Sequence, residues 1–224
     1  MSVQAAPIQI LRVDSSYQRS KRVVDIVFTL LIMIPLCIVT AVIALMIRLD
    51  SKGPIFFRQK RVGLNGVEFE MLKFRSMYQN SDDIRHREAT RQFMNGSTLS
   101  HEEDSSKRYK LTNDSRVTRV GRFLRKTSID ELPQFFNVLR GEMTLVGPRP
   151  ALQYEVDLYS PHDRLRLLGK PGLTGPWQVY GRSRVSFQKM VQMDIDYLHQ
   201  QSLRQDLKLI ALTVPVMLLG QGAA

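Results

Sequence analysis

The sequence predicts a mixed, helix-rich α/β fold: an apolar helix near the N-terminus that enters a membrane, a compact body of short strands and helices, and amphipathic helices at the interface. Three observations predict it. Residues 23–47 are apolar except for Asp25, Thr29 and Thr40. Two runs rich in aromatic and branched residues, IFFRQKRVG and VEFEMLKFRSM, flank a Gly63 to Gly66 turn, the pattern of a β-hairpin. Downstream, helically periodic segments alternate with glycine- and proline-rich loops.

Composition narrows the partners before any motif is read. The 224-residue chain is long enough to bury a core, and its net charge of +11 with a pI near 10.0 calls for an anionic partner: nucleic acid, an acidic membrane surface or a phosphorylated substrate. Its single cysteine, Cys37, lies inside the apolar run, which excludes a disulfide framework and a cysteine metal site. His86, His101, His162 and His199 are scattered without metal-ligand spacing.

Residues 1–20 read as an N-terminal tail, and Arg19, Lys21 and Arg22 load positive charge just ahead of the apolar run. Residues 21–49 form the membrane helix. At about 1.5 Å per residue it is long enough to span a hydrocarbon core, which makes a single spanning helix the default reading. Pro35 at its middle removes a backbone hydrogen bond and favours a kink. Arg48, Lys52, Arg58, Lys60 and Arg61 follow the helix, so both flanks prefer the cytoplasmic side. A helix broken at Pro35 that enters and leaves by one face satisfies both observations, and the two topologies stay open at this level. Asp25 reads either as a tolerated acid near the headgroups or as a structural anchor.

Residues 50–220 make up the remaining domain, and 221–224 a short tail. Within it 79–112 is a polar insertion, partly mobile, with an amphipathic helix around Ile84 to Met94. Cations recur at Arg116, Arg119, Arg122 and Arg125 while Val117, Val120 and Leu124 keep a helical period, although Gly121 weakens that helix. The next helix is expected from Ile129 to Leu139, with Ser128 as N-cap and Glu131 at the third position, an S-x-x-E capping box, and Gly141 as the stop. GEMTLVGPRP continues as a short strand into a loop where Pro148 and Pro150 flank Arg149, an arrangement suited to bidentate phosphate binding. SFQKMVQMDIDYLHQQS reads as an amphipathic helix, and Leu207 to Leu219 as an interfacial or core helix too short to span.

The adjacent acids Asp130 and Glu131 admit two readings. Acids in a first helical turn complement the helix dipole and need no further role. Two carboxylates among so many cations also suit anion and metal chemistry.

Linked strings decide between them: KRVVDIVF, GPIFFRQKRVGLNG, FEMLKFRSM, RVTRVGRFLRKTSIDELPQFFNVLRGEMTLVGPRP and KPGLTGPWQVYGR, in this order from Lys21 to Arg182, within a likeness that covers roughly Lys21 to Gly220. The chain resembles the bacterial sugar transferase family, monotopic phosphoglycosyl transferases that act on a polyprenol phosphate. The resemblance implies a re-entrant helix broken at Pro35 and a cytoplasmic catalytic domain on the bacterial inner membrane. It implies that Asp130 is the nucleophile toward a UDP-sugar, that the sugar phosphate passes through a covalent intermediate to undecaprenyl phosphate with release of UMP, and that the product initiates exopolysaccharide, O-antigen or other glycoconjugate assembly. Mg²⁺ would be held by Asp130 and Glu131. Arg125 and Arg149 match phosphate-binding arginines of the family, with Lys73, Arg75 and Arg182 as further candidates. Two positions depart from the pattern: Ile34 stands where small members carry serine, and Ser115 where Asp-Pro-Arg is common.

The expected partners are therefore the UDP-sugar, undecaprenyl phosphate and membrane lipid, with no nucleic acid. The alternatives are direct transfer with Asp130 as general base, and a non-catalytic, membrane-anchored basic binding protein, for which the charge alone speaks.

Overall fold

The computed structural model describes residues 15–79, 84–94, 114–181 and 185–218. Helix α1, Ser15–Asp50, runs for 36 residues with Pro35 inside it. Helical structure continues on both sides of Pro35, where the sequence predicted a break. A proline deletes one N–H bond and bends the turn before it, and a strongly apolar flank can keep the helix going beyond. The helix also starts earlier than expected: residues 15–20, assigned to the tail, are helical, and Tyr17 donates a hydrogen bond to Asp206 Oδ2 at 2.8 Å.

One stripe of α1 faces the body of the protein along its length. Lys21, Asp25, Thr29, Leu36, Ile43 and Ile47 are buried, at the spacing of a single helical face. The rest of its surface carries exposed Val23, Leu31, Ile34, Ile38, Val42 and Leu49, an apolar strip far larger than a water-facing helix keeps.

Both ends are fastened to the same body. At the N-terminal end Lys21 Nζ reaches Asp206 Oδ2 at 2.7 Å, and Asp25 accepts from Thr144 Oγ1 at 2.6 Å and from the Leu145 amide at 3.0 Å. Asp25 is thus an anchor rather than a tolerated acid. At the C-terminal end Asp50 accepts from the Val120 amide at 3.0 Å.

The hairpin forms as the sequence predicts: β1, Phe56–Val62, pairs antiparallel with β2, Glu68–Phe74. Helix α2, Ile84–Met94, matches the expected amphipathic helix; the remainder of the polar insertion, 80–83 and 95–112, lies outside the described residues. Helix α3, Arg119–Lys126, is capped by Thr118 Oγ1, which accepts from the Gly121 amide. Gly121 is there for proximity, since a Cβ at that position would sit 2.0 Å from the Ser76 carbonyl oxygen.

The predicted helix from Ile129 to Leu139 is replaced by two pieces. Ile129–Glu131 forms a single 3₁₀ turn, and α4 spans Gln134–Arg140 behind Pro133. The capping box is absent: Ser128 adopts a left-handed φ of 56° and its side chain makes no cap bond. Pro133 lacks an N–H and cannot continue the ladder begun at Ile129, so the chain restarts there. Gly141 ends α4 in the left-handed conformation, φ 81°.

Strand β3, Thr144–Val146, follows. After the short helix α5, Gln153–Val156, the chain returns as β4, Gly172–Thr174, parallel to β3. Helices α6, Phe187–Gln200, and α7, Leu203–Leu218, complete the body. The main core gathers Leu36, Met71, Val138, Met143, Val146 and Leu209, so α1 contributes to it directly.

Candidate active site

The turn Ile129–Glu131 sits between α3 and α4 and packs beside β2. It is entered through Ser128 in the left-handed conformation, and its two acids differ in exposure. Asp130 is 9% exposed; the Glu131 side chain keeps 44% of its exposure.

Lys73, near the end of β2, donates from Nζ to Glu131 Oε1 at 2.7 Å. Burial pushes Asp130 up to about 6, aided by the neighbouring Glu131 charge and opposed by Lys73 and Arg125. Glu131 is held below the usual glutamate range: enclosure works against its charge, but Lys73, Arg149 and Arg61 outweigh it. The two environments push the acids apart, the arrangement by which neighbouring carboxylates take different roles.

Arg149 approaches from the loop after β3. Its guanidinium lies 5.7 Å from the centre of the Trp177 ring and 3.6 Å from Glu155 Oε2. Around the loop, Gly147 N–H donates to Thr174 O, Gly172 N–H to Pro148 O, Arg166 Nη2 to Arg149 O at 3.1 Å and Arg61 Nη1 to Pro150 O at 3.0 Å. This loop is held largely through its backbone, and the Arg149 charge acts on Glu131.

Lys73, Arg125, Arg149, Asp130 and Glu131 are therefore brought together. Arg75 is not among them. It is buried and donates to Ser51 O at 2.6 Å, Lys52 O at 3.0 Å and Ile47 O at 3.4 Å, closing the C-terminal carbonyls of α1. Arg182 lies outside the described residues. Arg116 pairs with Asp114 at 2.7 Å, while Arg119 and Arg122 lie exposed on α3.

The sequence reading missed Arg61, Glu155 and the buried pair Arg166–Asp194. Arg61 was visible only as one of several cations after the apolar run. Its alternation with Gln59 along β1, and its partner Pro150 across 89 positions, needed the fold.

Among the described residues no third carboxylate, histidine or cysteine joins Asp130 and Glu131. Asp130 and Glu131 are oxygen donors of the kind a hard divalent cation takes.

The profile of the bacterial sugar transferase family matches residues 16–220. The chain belongs to that family. Its relatives align over most of this chain. "Galactosyl transferase CpsE" of Streptococcus agalactiae is 41% identical over 209 residues, 93% of this chain and 44% of its own length. "Exopolysaccharide production protein ExoY" of Sinorhizobium fredii is 39% identical over 204 residues, 91% and 88%. "UDP-glucose:undecaprenyl-phosphate glucose-1-phosphate transferase" of Caulobacter vibrioides is 40% identical over 206 residues, 88% and 69%. The chain thus spans less than half of the first of these and most of the second. Membership supports a transferase function, and the long apolar helix is consistent with membrane association.

Proposed function

We propose that this protein transfers a sugar-1-phosphate from a UDP-sugar to undecaprenyl phosphate, releasing UMP, as the first step in building an exopolysaccharide, O-antigen or related glycoconjugate. The observation that carries the proposal is the ring of cations about the acid pair: Lys73 and Arg125 act on the buried Asp130, and Lys73 and Arg149 on Glu131. Such a ring binds a diphosphate and stabilises the charge that shifts during phosphoryl transfer.

In the first half-reaction an Asp130 carboxylate oxygen attacks the β-phosphorus of the donor. The bond from that phosphorus to the bridging oxygen breaks, and UMP leaves with the electron pair. In the second, an oxygen of the lipid phosphate attacks the same phosphorus and the carboxylate departs, restoring Asp130. Lys73 and Arg149 bind and orient the diphosphate, while Arg125 offsets charge at Asp130. Asp130 and Glu131 would hold Mg²⁺, which when bound screens the diphosphate charge.

Direct transfer is the second reading, since a carboxyl raised to about 6 is also suited to act as a base near neutral pH. Intact-mass detection of a sugar-phosphate adduct of the enzyme, mapped to Asp130 after incubation with donor alone, supports the covalent route. Full turnover with no adduct at any time point favours the direct one. Absence of UMP release across a broad donor panel with polyprenol phosphate present would overturn both.

For the membrane, both ends of α1 docked on one body support a helix that dips into one leaflet, with the catalytic domain on the cytoplasmic face of the inner membrane. A spanning helix would have to pull one end off that body. Cysteine labelling in a Cys37→Ala background should find positions 10 and 60 on the same side; opposite sides would exclude the dip.

A further inference from the structure

We propose that the outer face of α3, made of Arg119, Arg122, Phe123 and Lys126, docks on acidic phospholipid headgroups of the leaflet that α1 enters. The inference rests on the functional reading above for the placement of α1 and is independent of the sugar donor.

Helical spacing builds this face. Positions 119, 122, 123 and 126 fall at i, i+3, i+4 and i+7, one side of a helix. All four side chains are exposed, Phe123 to 51%, while Gly121 and Leu124 turn inward. Helix α3 contains no acidic residue, and among the described residues none of its three outer cations is ion-paired.

In water such a face works against the fold. Arg119 and Arg122, and Arg122 and Lys126, are like charges one turn apart. Arg119 and Arg122 also lie toward the positive end of the helix dipole, and the Phe123 ring adds apolar surface between them. An acidic headgroup layer answers every one of these terms: its charge offsets the cations, and its boundary with the acyl chains takes the ring. A duplex backbone or a free phosphate would leave the ring in water.

The position of α3 agrees with its chemistry. The exposed apolar strip of α1 extends to Leu49, 79% exposed. The next residue, Asp50, accepts from the Val120 amide in the first turn of α3 at 3.0 Å, and Leu124 packs with Ile43 and Ile47 of α1. With α1 in one leaflet, α3 is therefore held where hydrocarbon gives way to headgroups. Each cation near an acidic leaflet contributes about fivefold to occupancy, and three contribute about a hundredfold.

The test uses the full chain in bilayer discs. Phe123→Cys in a Cys37→Ala background carries an apolar fluorophore, read by a lipid with a quenching nitroxide on its headgroup; Leu49→Cys in the same background reads α1. Adding phosphatidylglycerol to phosphatidylcholine discs should increase quenching at position 123 at least about twofold. Arg119→Gln, Arg122→Gln and Lys126→Gln together should remove that gain, with a melting temperature in neutral detergent that is unchanged or higher, since like-charge repulsion is relieved. Arg58→Gln with Lys60→Gln, which neutralises hairpin cations paired with Glu70 and Glu68, should preserve it.

Quenching at position 123 that is equal in both discs, or that survives the triple substitution, overturns the proposal. So does retention of duplex DNA that the same three substitutions abolish while the label stays unquenched in acidic discs. A label at position 49 that lipid does not quench refutes the placement of α1 instead, and the comparison at position 123 still decides the role of α3.

Discussion

Lys73 Nζ and Glu131 Oε1 lie 2.7 Å apart, joining the end of the hairpin to the turn that carries the acids. The pair is half open to solvent, so its worth to folding is small, about 0–1 kcal/mol. Its consequence is electrostatic: Lys73 opposes the raised proton affinity of Asp130 and keeps Glu131 ionised. Lys73→Met should lower kcat/KM about a hundredfold with little change in thermal stability. A loss under about threefold would remove Lys73 from the site.

On the proposed covalent route Asp130 must be ionised to attack, so kcat/KM should rise with pH through an acid limb near 6. Removing Lys73 should move that limb upward, since its charge favours the carboxylate. A limb that stays put in Lys73→Met would show that another group titrates.

The same raised value has a cost in stability. The folded protein keeps a proton on Asp130 between the ordinary 3.8 and about 6, where the unfolded chain has lost it. The stabilisation linked to that proton is complete below 3.8 and is lost as pH rises through about 6. Asp130→Asn should therefore abolish turnover while raising stability by about 1–2 kcal/mol near pH 7.5 and hardly at all near pH 4. Melting curves of both proteins at the two pH values test the sign.

Asp25 binds Thr144 Oγ1 and the Leu145 amide in a buried setting. Asp25→Ala leaves both donors unsatisfied and should destabilise the protein by about 2–4 kcal/mol. Asp25→Asn, which retains an acceptor oxygen, should lose less. Equal melting temperatures for Asp25→Ala and the native protein would contradict the anchoring role.

Gly121→Ala forces a methyl to 2.0 Å from the Ser76 carbonyl oxygen, a backbone atom that cannot swing aside. The expected loss is about 2 kcal/mol or more, with α3 shifted and Arg125 carried with it. The check is a melting curve alongside UMP release.

Local patterns were legible in the sequence where local forces set the structure. The hairpin at 56–74, the α2 boundaries, the Gly141 stop and β3 follow from alternation, periodicity and turn chemistry. The acid pair and Arg149 emerged from motif order. The turn at Asp130 did not, because Ser-x-x-Glu fits a capping box as well as a 3₁₀ turn, and Pro133 tips the balance only once the packing of α4 is known. Arg75 looked like an anion ligand because its position after the strand says nothing of the carbonyls at the end of α1 and just beyond it, 23–28 positions away. Arg61, Arg166 and Asp194 work through partners distant in sequence, and one chain's spacing carries no trace of such pairings.

Asp25 belongs to the apolar helix, and Thr144 opens the strand that leads directly into the Arg149 loop. On the proposed placement of α1 in one leaflet, lipid would act on the site rather than only support it. Bilayer thickness, or the micelle that replaces it, would then set the tilt of α1 and be felt three strand residues before the loop that carries the guanidinium. Rate constants taken in detergent and in a bilayer disc should part company first in the steps that rely on Arg149.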